Sequence, residues 1–293
     1  MIEARNLGRD YQRGERTLTV LDGVSFQIES GEFVSITGPS GSGKSTLLGI
    51  LAGLDRPTRG DILLESSNLN EMSETELSRF RGSRIGFVFQ NFQLVPTLTA
   101  LENVSLPLRL QNSGQADARA RQMLERVGLT DRLSHYPAQL SGGEMQRVAI
   151  ARASVISPSI LFADEPTGNL DSGSGDRVID LLMEQRKQCT LVLVTHNPEL
   201  AGLADREIRL LDGHIDEIVV HRKAKGRSSS GAGEARGRKK QTPSAGAKSA
   251  PSQKPGSSRK KGRGGPAGSA TVKRAASVRR GKSKQIAEKK GRK

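Results

Sequence analysis

The sequence is poor in residues that crosslink a chain and in runs that would anchor it in a membrane. Cys189 is the single cysteine, so no disulfide can form within the chain, and we expect a small buried thiol suited to a reducing cytoplasm. No run approaches the roughly 20 apolar residues needed to cross a bilayer. The N-terminal segment lacks the apolar stretch of a secretory signal, and we predict none. Any membrane-spanning part would belong to another chain.

The C-terminal segment, residues 222–293, lacks aromatic residues, and its aliphatic residues beyond alanine are only Val272, Val278 and Ile286. It carries a net charge of +22 and residues 1–221 carry −7, which together give the chain its net charge of +15. So little apolar surface cannot offset the entropy of ordering, and we predict a disordered tail. Its charge suits nucleic acid, ribosomes or anionic lipid, with little capacity for base stacking. A solvated tail without a specific partner is the alternative.

The most informative segment is a glycine-rich loop of the form G-x-x-x-x-G-K-[ST]. A strand-like apolar run (Phe33–Thr37) precedes it and a helical run (46–52) follows it. Glycines let backbone N–H groups approach an anion, and the N-terminus of the next helix favours negative charge. Lys44 adds a charge for the terminal phosphates, and Ser45 offers a hydroxyl to Mg²⁺. The pattern predicts a nucleoside triphosphate site formed by Gly38, Pro39, Ser40, Gly41, Ser42, Gly43, Lys44, Ser45 and Thr46.

Other patterns indicate the class of fold. Continuous apolar runs at 160–163 and 191–194 are typical of strands buried on both faces of a parallel sheet. Helical and strand patterns alternate through the second half of residues 1–221, which predicts an α/β architecture. Residues 20–28 alternate with period two around Asp22-Gly23, a pair that favours a turn. The length suits one large α/β domain or a domain with an inserted subdomain.

Polar side chains follow three predicted strands. Asp164 and Glu165 come directly after the run 160–163, where the carboxyl end of a parallel strand faces a phosphate loop. Asp164 could hold Mg²⁺, and Glu165 could orient or deprotonate an attacking water. Gln90 and His196 end two other strands, where an amide could touch Mg²⁺ or water and an imidazole the γ-phosphate. Taken singly, each is also compatible with a solvated strand end.

A marked helix opens at the segment LSGGE. Ser141 and Glu144 have the spacing of a capping box, which accounts for the start of the helix. Capping does not account for Gly142 and Gly143, since glycine weakens a first turn. Two glycines would be useful where backbone must approach an anion.

These segments together resemble the ATP-binding cassette (ABC) ATPases. The segments GPSGSGKST, Gln90, LSGGE, ILFADEP, GNLD (168–171) and His196 follow one another in that family's order. The stretches GFVFQ, LVPTLTALENV and ADEPTGNLD resemble the lipoprotein-release, macrolide-export and FtsE-like branch, and within it the YbbA-type ATPases. The resemblance extends over residues 1 to about 220. Glu144 stands where many members have glutamine, and Asn197 where aspartate is usual, but neither departure removes a catalytic group.

The resemblance implies a fold and a set of partners. The fold is a P-loop NTPase core at 1–221 with an N-terminal antiparallel β subdomain and an inserted α-helical signature subdomain at about 92–155. The chain would hydrolyse ATP with Mg²⁺ as a head-to-tail homodimer. The dimer would drive an integral-membrane permease of the FtsX/MacB type on a separate chain, in export or extraction of lipoprotein, lipid, peptide or drug. It would be cytoplasmic and peripheral on the inner face of a bacterial cell membrane.

The resemblance also implies a role for each matched position. Tyr11 would stack on adenine. Residues 38–46, Lys44 included, would wrap the phosphates. Ser45 and Gln90 would contact Mg²⁺, with Asp164 behind. Glu165 would be the catalytic carboxylate and His196 would touch the γ-phosphate, with Gln90 and Lys44 as the other catalytic residues. Ser141 and Gly143, with Gly142 between them, would bind the γ-phosphate of the ATP held by the other subunit. Asp171 would lie in the loop that joins the two ATP sites.

Two alternatives concern the role of the ATPase. A DNA-repair or chromosome-structural ATPase would need coiled-coil or zinc-bearing insertions, and the sequence has neither heptads nor paired cysteines. A nucleic-acid-binding or anionic-membrane-binding role through the tail, or an FtsE-like role in cell division, stays open at this point.

Overall fold

The structure is a computed structural model that describes residues 1–221. The tail predicted at 222–293, with its lipid or nucleic-acid partner, lies outside these residues. In chain order the elements are β1 (Ile2–Arg13), β2 (Arg16–Ile28), β3 (Phe33–Thr37), α1 (Lys44–Leu51), β4 (Arg59–Leu64), β5 (Ser67–Asn68), α2 (Glu74–Arg84), β6 (Ile85–Val88), α3 (Ala100–Leu110), α4 (Ala116–Arg126), α5 (Gly142–Ser154), β7 (Ile160–Asp164), α6 (Ser172–Gln185), β8 (Thr190–Val194), α7 (Pro198–Ala201), β9 (Arg206–Leu211) and β10 (His214–Val220).

The central sheet has the strand order β10-β9-β3-β8-β7-β6. Strands β9, β3, β8, β7 and β6 are parallel, and β10 adds an antiparallel edge. Every residue of β8 is buried, as its continuous apolar run predicts. Phe33 of β3 and Phe162 of β7 are fully buried within it. The α/β class is therefore confirmed, with the carboxyl ends of β3, β6, β7 and β8 at one edge.

The N-terminal strands form a second, antiparallel sheet in the order β2-β1-β4-β5. The turn expected at Asp22-Gly23 is wrong, because β2 continues through both residues. The pairing shifts register there, from Leu7 with Val24 to Arg9 with Leu21. Gly23 has a φ of 68°, so the pair forms a bulge that bends β2 rather than ending it.

Helices α3, α4 and α5 pack on one another around an apolar cluster of their own. Capping boxes start α3 at Thr99 with Glu102 and α5 at Ser141 with Glu144. Val104, Leu124 and Val148 lie at the centre of the cluster and are fully buried. This separate core is what a helical subdomain between β6 and β7 requires.

Two further features bear on the predictions from composition: the thiol of Cys189 and the apolar character of the helices. Cys189 is a free, buried thiol, and burial raises its pKa to about 11. Within the described part of the chain, no helix combines the length and apolar character needed to cross a bilayer.

Candidate functional site

The glycine-rich loop connects β3 to α1 through backbone that only glycine tolerates. Gly38 has a φ of 143° and Gly43 a φ of 96°. A Cβ atom at Gly38 would lie 2.1 Å from the carbonyl oxygen of Leu210, and one at Gly43 would lie 2.7 Å from Cδ2 of Leu21. Both glycines are therefore required by close packing against β9 and β2, as well as by conformation.

The loop has the polar groups that an anion needs. Lys44 Nζ donates to the carbonyl oxygens of Gly38 at 3.0 Å and Pro39 at 2.8 Å, so the ammonium group is folded over the loop. The hydroxyl of Ser42 is buried and has no hydrogen-bond partner within residues 1–221. Helix α1 begins at Lys44 and directs its first N–H groups at the same loop. The residues present fit a polyphosphate.

Carboxylates stand at the end of β7, beside the loop. Asp164 Oδ1 accepts a hydrogen bond from Ser45 Oγ at 3.3 Å, which places a hydroxyl and a carboxylate side by side. Burial raises the pKa of Asp164, and the Ser45 bond opposes that rise. Hard oxygen donors of this kind are the ligands that Mg²⁺ takes in proteins, so the donor set fits this ion.

Glu165 faces the end of the neighbouring strand. Its backbone N–H donates to the carbonyl of Val194 at 2.9 Å, and its φ of 43° turns the chain away from β7. Its Oε2 lies 2.8 Å from Nδ1 of His196. The structure thus brings together Asp164, Glu165, Ser45 and His196, as the sequence predicts for strand ends of a parallel sheet.

Gln90 joins this edge through the turn that follows β7. A Cβ atom added at Gly168 would lie 3.1 Å from Nε2 of Gln90 and 3.6 Å from Cβ of Glu165. The side chains of Gln90 and Glu165 therefore both lie next to Gly168. Asn169 Nδ2 donates to the carbonyl of Gln90 at 3.2 Å and to Oδ1 of Asn91 at 3.1 Å. Asn169 is a residue that the sequence reasoning missed, although it lies inside the GNLD motif.

The signature segment forms a second cluster. Ser141 Oγ accepts from the backbone N–H of Glu144 at 3.3 Å, and Glu144 Oε2 accepts from the N–H of Ser141 at 2.9 Å. Gly143 has a packing reason as well, because a Cβ there would lie 2.6 Å from Oγ of Ser174. Within residues 1–221, no hydrogen bond joins 141–143 to the phosphate loop.

Asp171 lies at the edge of this cluster and caps α6. Its Oδ1 accepts from the backbone N–H of Ser174 at 3.0 Å. Hydrogen bonds from Ser174 lower the pKa of Asp171, and the bond from the Ser174 side chain contributes more than the bond from its backbone. The carboxylate is therefore ionised and fixed next to the signature helix.

Tyr11 lies on β1 with one ring face covered. The guanidinium carbon of Arg9 is 4.5 Å from the ring centroid, and Tyr11 Oη donates to Oδ2 of Asp55 at 2.9 Å. The residue as a whole is 37% exposed. Tyr11 pairs with Leu18 of β2, the strand that also reaches the phosphate loop.

The turn between β9 and β10 supports the phosphate loop. The sequence did not predict this contact. Gly213 N donates to the carbonyl of Ser42 at 3.3 Å, and Asp22 N donates to the carbonyl of Gly213 at 3.0 Å. The Asp212-Gly213 pair is a recognisable hairpin signal. Nothing local to it points to a loop some 170 residues earlier in the chain.

The fold and this strand-end site define a P-loop ATPase. Residues 21–168 match the family described as ABC transporter. The chain is 48% identical over 221 residues to the ABC transporter ATP-binding protein YbbA of Escherichia coli K12, covering 74% of this chain and 97% of that one. It is 48% identical to the lipoprotein-releasing system ATP-binding protein LolD of Syntrophotalea carbinolica, over 73% of this chain and 96% of that one.

A solved structure agrees with these relatives. The dimeric, post-hydrolysis ATP-binding cassette MJ0796 bound to ADP and Pi has a TM-score of 0.73 and 42% identity, covering 76% of this chain and 100% of that one. The chain belongs to the ABC transporter ATP-binding family, in the branch that includes YbbA, LolD and MacB. It binds and hydrolyses ATP.

Proposed function

We propose that two copies of this chain, arranged head to tail, bind two ATP molecules and drive an FtsX/MacB-type permease. The permease would export or extract lipoprotein, lipid, peptide or drug, and the ATPase would lie on the cytoplasmic face of a bacterial membrane. The solved cassette MJ0796, to which the chain is similar, is described as dimeric. The named relatives LolD and MacB serve lipoprotein release and macrolide export.

The observation that carries the permease proposal is an apolar groove beside the Gln90 loop. The groove encloses about 480 Å³ between the parallel sheet and the helical subdomain. Leu54 and Leu110 stand at its rim, 50% and 76% exposed, and Phe87 and Phe89 line it. Apolar side chains exposed around a concave surface mark a protein contact. A short amphipathic segment of a permease fits this shape.

The dimer proposal rests on the separation, within one chain, of the signature segment 141–143 from the phosphate loop 38–46. Ser141, Gly142 and Gly143 present a helix N-terminus without contacting the phosphate loop of their own chain. A second copy in head-to-tail arrangement would place this segment opposite the γ-phosphate. Asp171 caps α6 beside it and would lie at the subunit boundary.

At the strand ends we assign roles as follows. Ser45, Gln90 and Asp164 would hold Mg²⁺, which when bound neutralises charge on the β- and γ-phosphate oxygens. Lys44 would leave the carbonyls of Gly38 and Pro39 to pair with phosphate oxygens. Glu165 would accept a proton from the attacking water, and His196, bonded to Glu165 through Nδ1, would present Nε2 to the γ-phosphate.

A site-specific photocrosslink tests the permease proposal. A photoreactive amino acid at Leu110, in the full chain expressed in its native membrane background, should give a crosslink to a polytopic permease of the FtsX/MacB type. The same probe at Leu18, which is 55% exposed on the antiparallel sheet, is the matched control and should not. Crosslinking to soluble proteins alone, or equal yields at both positions, would contradict the proposal.

A further inference from the structure

Left-handed backbone occurs at two consecutive residues shortly after Gln90. Phe92 has a φ of 59° and Gln93 a φ of 50°. Bulky residues reach this conformation only at a cost in free energy, and a pair in sequence needs support from outside the loop. Within the loop, Phe92 N donates to the carbonyl of Phe89 at 3.2 Å, and Gln93 N donates to that of Asn91 at 2.5 Å.

The support comes from one arginine on the signature helix. Arg152, near the C-terminal end of α5, donates through Nη1 to the carbonyl of Gln93 at 2.6 Å and through Nη2 to that of Phe92 at 2.9 Å. A planar guanidinium that bridges two successive carbonyls fixes their relative orientation. No carboxylate within residues 1–221 forms an ion pair with Arg152. The two carbonyls are therefore its polar partners in the described chain.

The same loop contacts the rest of the site. Asn169 holds the carbonyl of Gln90 and the side chain of Asn91. The Phe92 ring lies 3.8 Å from the position of a Cβ at Gly142, so helix α5 meets the loop near both of its ends. Arg152 and Gln93 also line the apolar groove. One guanidinium is thus shared between the groove wall and the residues after Gln90.

We infer that Arg152 is a positioning residue for ATP hydrolysis: it holds Phe92 and Gln93 in their left-handed form, which sets Gln90 beside Glu165. Because Arg152 and Gln93 both line the groove, a protein segment seated there would contact the clamp. The inference rests on the proposed function in one respect, the assignment of Gln90 to Mg²⁺.

Hydrogen exchange on the full chain without nucleotide tests the clamp directly. Arg152→Met keeps the length of the side chain and removes the donors, so amide exchange at 91–95 should accelerate at least tenfold. The control is Arg119→Met, because Arg119 also donates to a backbone carbonyl, that of Val155 at 2.9 Å, away from the loop. It should leave exchange at 91–95 unchanged.

Turnover measured against Mg²⁺ concentration tests the consequence. Arg152→Met should lower kcat about tenfold and raise the Mg²⁺ concentration for half-maximal rate severalfold, with the KM for ATP nearly unchanged. Adding Gln93→Gly to Arg152→Met should restore most of kcat, because glycine adopts positive φ without support. A defect caused by general loss of stability would not be rescued in this way.

The outcomes separate this inference from the proposed function. If Gln90→Ala leaves the Mg²⁺ dependence unchanged, the role proposed for Gln90 fails. If Gln90→Ala shifts it but Arg152→Met changes neither exchange at 91–95 nor kcat, the clamp is overturned. An Arg152→Met defect that Gln93→Gly does not relieve also overturns it, since the role would then be one of fold stability.

Discussion

Glu165 and His196 form one unit across two strand ends, with Oε2 and Nδ1 2.8 Å apart. The Glu165 side chain is 14% exposed and that of His196 is 73% exposed, so a largely buried carboxylate is paired with an exposed imidazole. Their strands β7 and β8 are parallel neighbours, paired from Ile160 with Thr190 to Asp164 with Val194. The pair therefore follows from strand order, because adjacent parallel strands end at the same edge.

Replacing Glu165 with glutamine should separate binding from hydrolysis. The amide keeps the size of the side chain but cannot accept the proton of an attacking water, so we expect turnover to fall by at least about 100-fold, as for loss of a general base. ATP affinity should stay within about twofold of the wild type, as measured by equilibrium dialysis. Glu199→Gln, at an exposed position of α7, controls for the loss of one charge. Wild-type turnover by Glu165→Gln would remove Glu165 from the role proposed for it.

Tyr11 offers a test of base stacking. Tyr11→Ala should weaken ATP binding by about 5- to 150-fold, the range expected for loss of about 1–3 kcal/mol of base–aromatic stacking. Tyr11→Phe should bind nearly as well, because it keeps the ring under Arg9 and loses only the exposed hydrogen bond to Asp55. Binding of ATP and of inorganic triphosphate should be compared by calorimetry. Equal losses for both ligands in Tyr11→Ala would argue against stacking on adenine.

Sequence reasoning predicted those parts of the site that are contiguous in the chain. The loop at 38–46 is recognisable as a glycine-rich segment after a strand, and Asp164-Glu165 as two carboxylates after an apolar strand. The structure places both at one sheet edge. The start of α5 was likewise predictable, since a capping box needs only Ser141 and Glu144. Local chemistry decides these features, and local chemistry can be read from a sequence.

The contacts that could not be predicted join segments far apart in sequence. The Arg152 clamp on Phe92 and Gln93, and the support of Ser42 by Gly213, depend on how finished elements pack. A pattern of period 2 or 3.6 carries no information about such pairs. The wrong turn at Asp22-Gly23 has a similar cause, because pairing with β1 and the bulge override the local preference of an Asp-Gly pair.

Gly38 should tolerate no side chain. In Gly38→Ala the Cβ would lie 2.1 Å from the carbonyl oxygen of Leu210 and 2.8 Å from Ser42 Oγ, at a φ of 143°. We expect a lower Tm and no measurable ATP binding, since the loop must shift. Gly49→Ala is the matched control in α1, where a Cβ would meet nothing within 4 Å. It should raise stability by about 0.5–1 kcal/mol in denaturant melts and leave ATP binding intact. Similar behaviour of the two variants would contradict the packing argument.

Asp164 should lower the stability of the free protein at neutral pH. Burial raises its pKa, although Ser45 opposes the rise, so the folded state binds a proton more readily than the unfolded state. The stability that this proton provides is present below the unfolded pKa and is lost as pH rises through the folded pKa. Asp164→Asn keeps an oxygen acceptor for Ser45 and carries no charge, so it should melt above the wild type at pH 8 without Mg²⁺ or nucleotide.

The difference in Tm between Asp164→Asn and the wild type should shrink as pH falls through the pKa of Asp164 and vanish below the ordinary aspartate range. With ATP and Mg²⁺ added the order should reverse, because the wild type gains stability from binding and the variant lacks the carboxylate assigned to the ion. Differential scanning fluorimetry from pH 3 to 8, with and without both ligands, measures each effect. Asp216→Asn, at an exposed position of β10, is the control for removing one carboxylate and should change neither. A variant less stable than the wild type at pH 8 without ligands would contradict the burial argument, and an unreversed order with ligands would contradict the assignment of Asp164 to Mg²⁺.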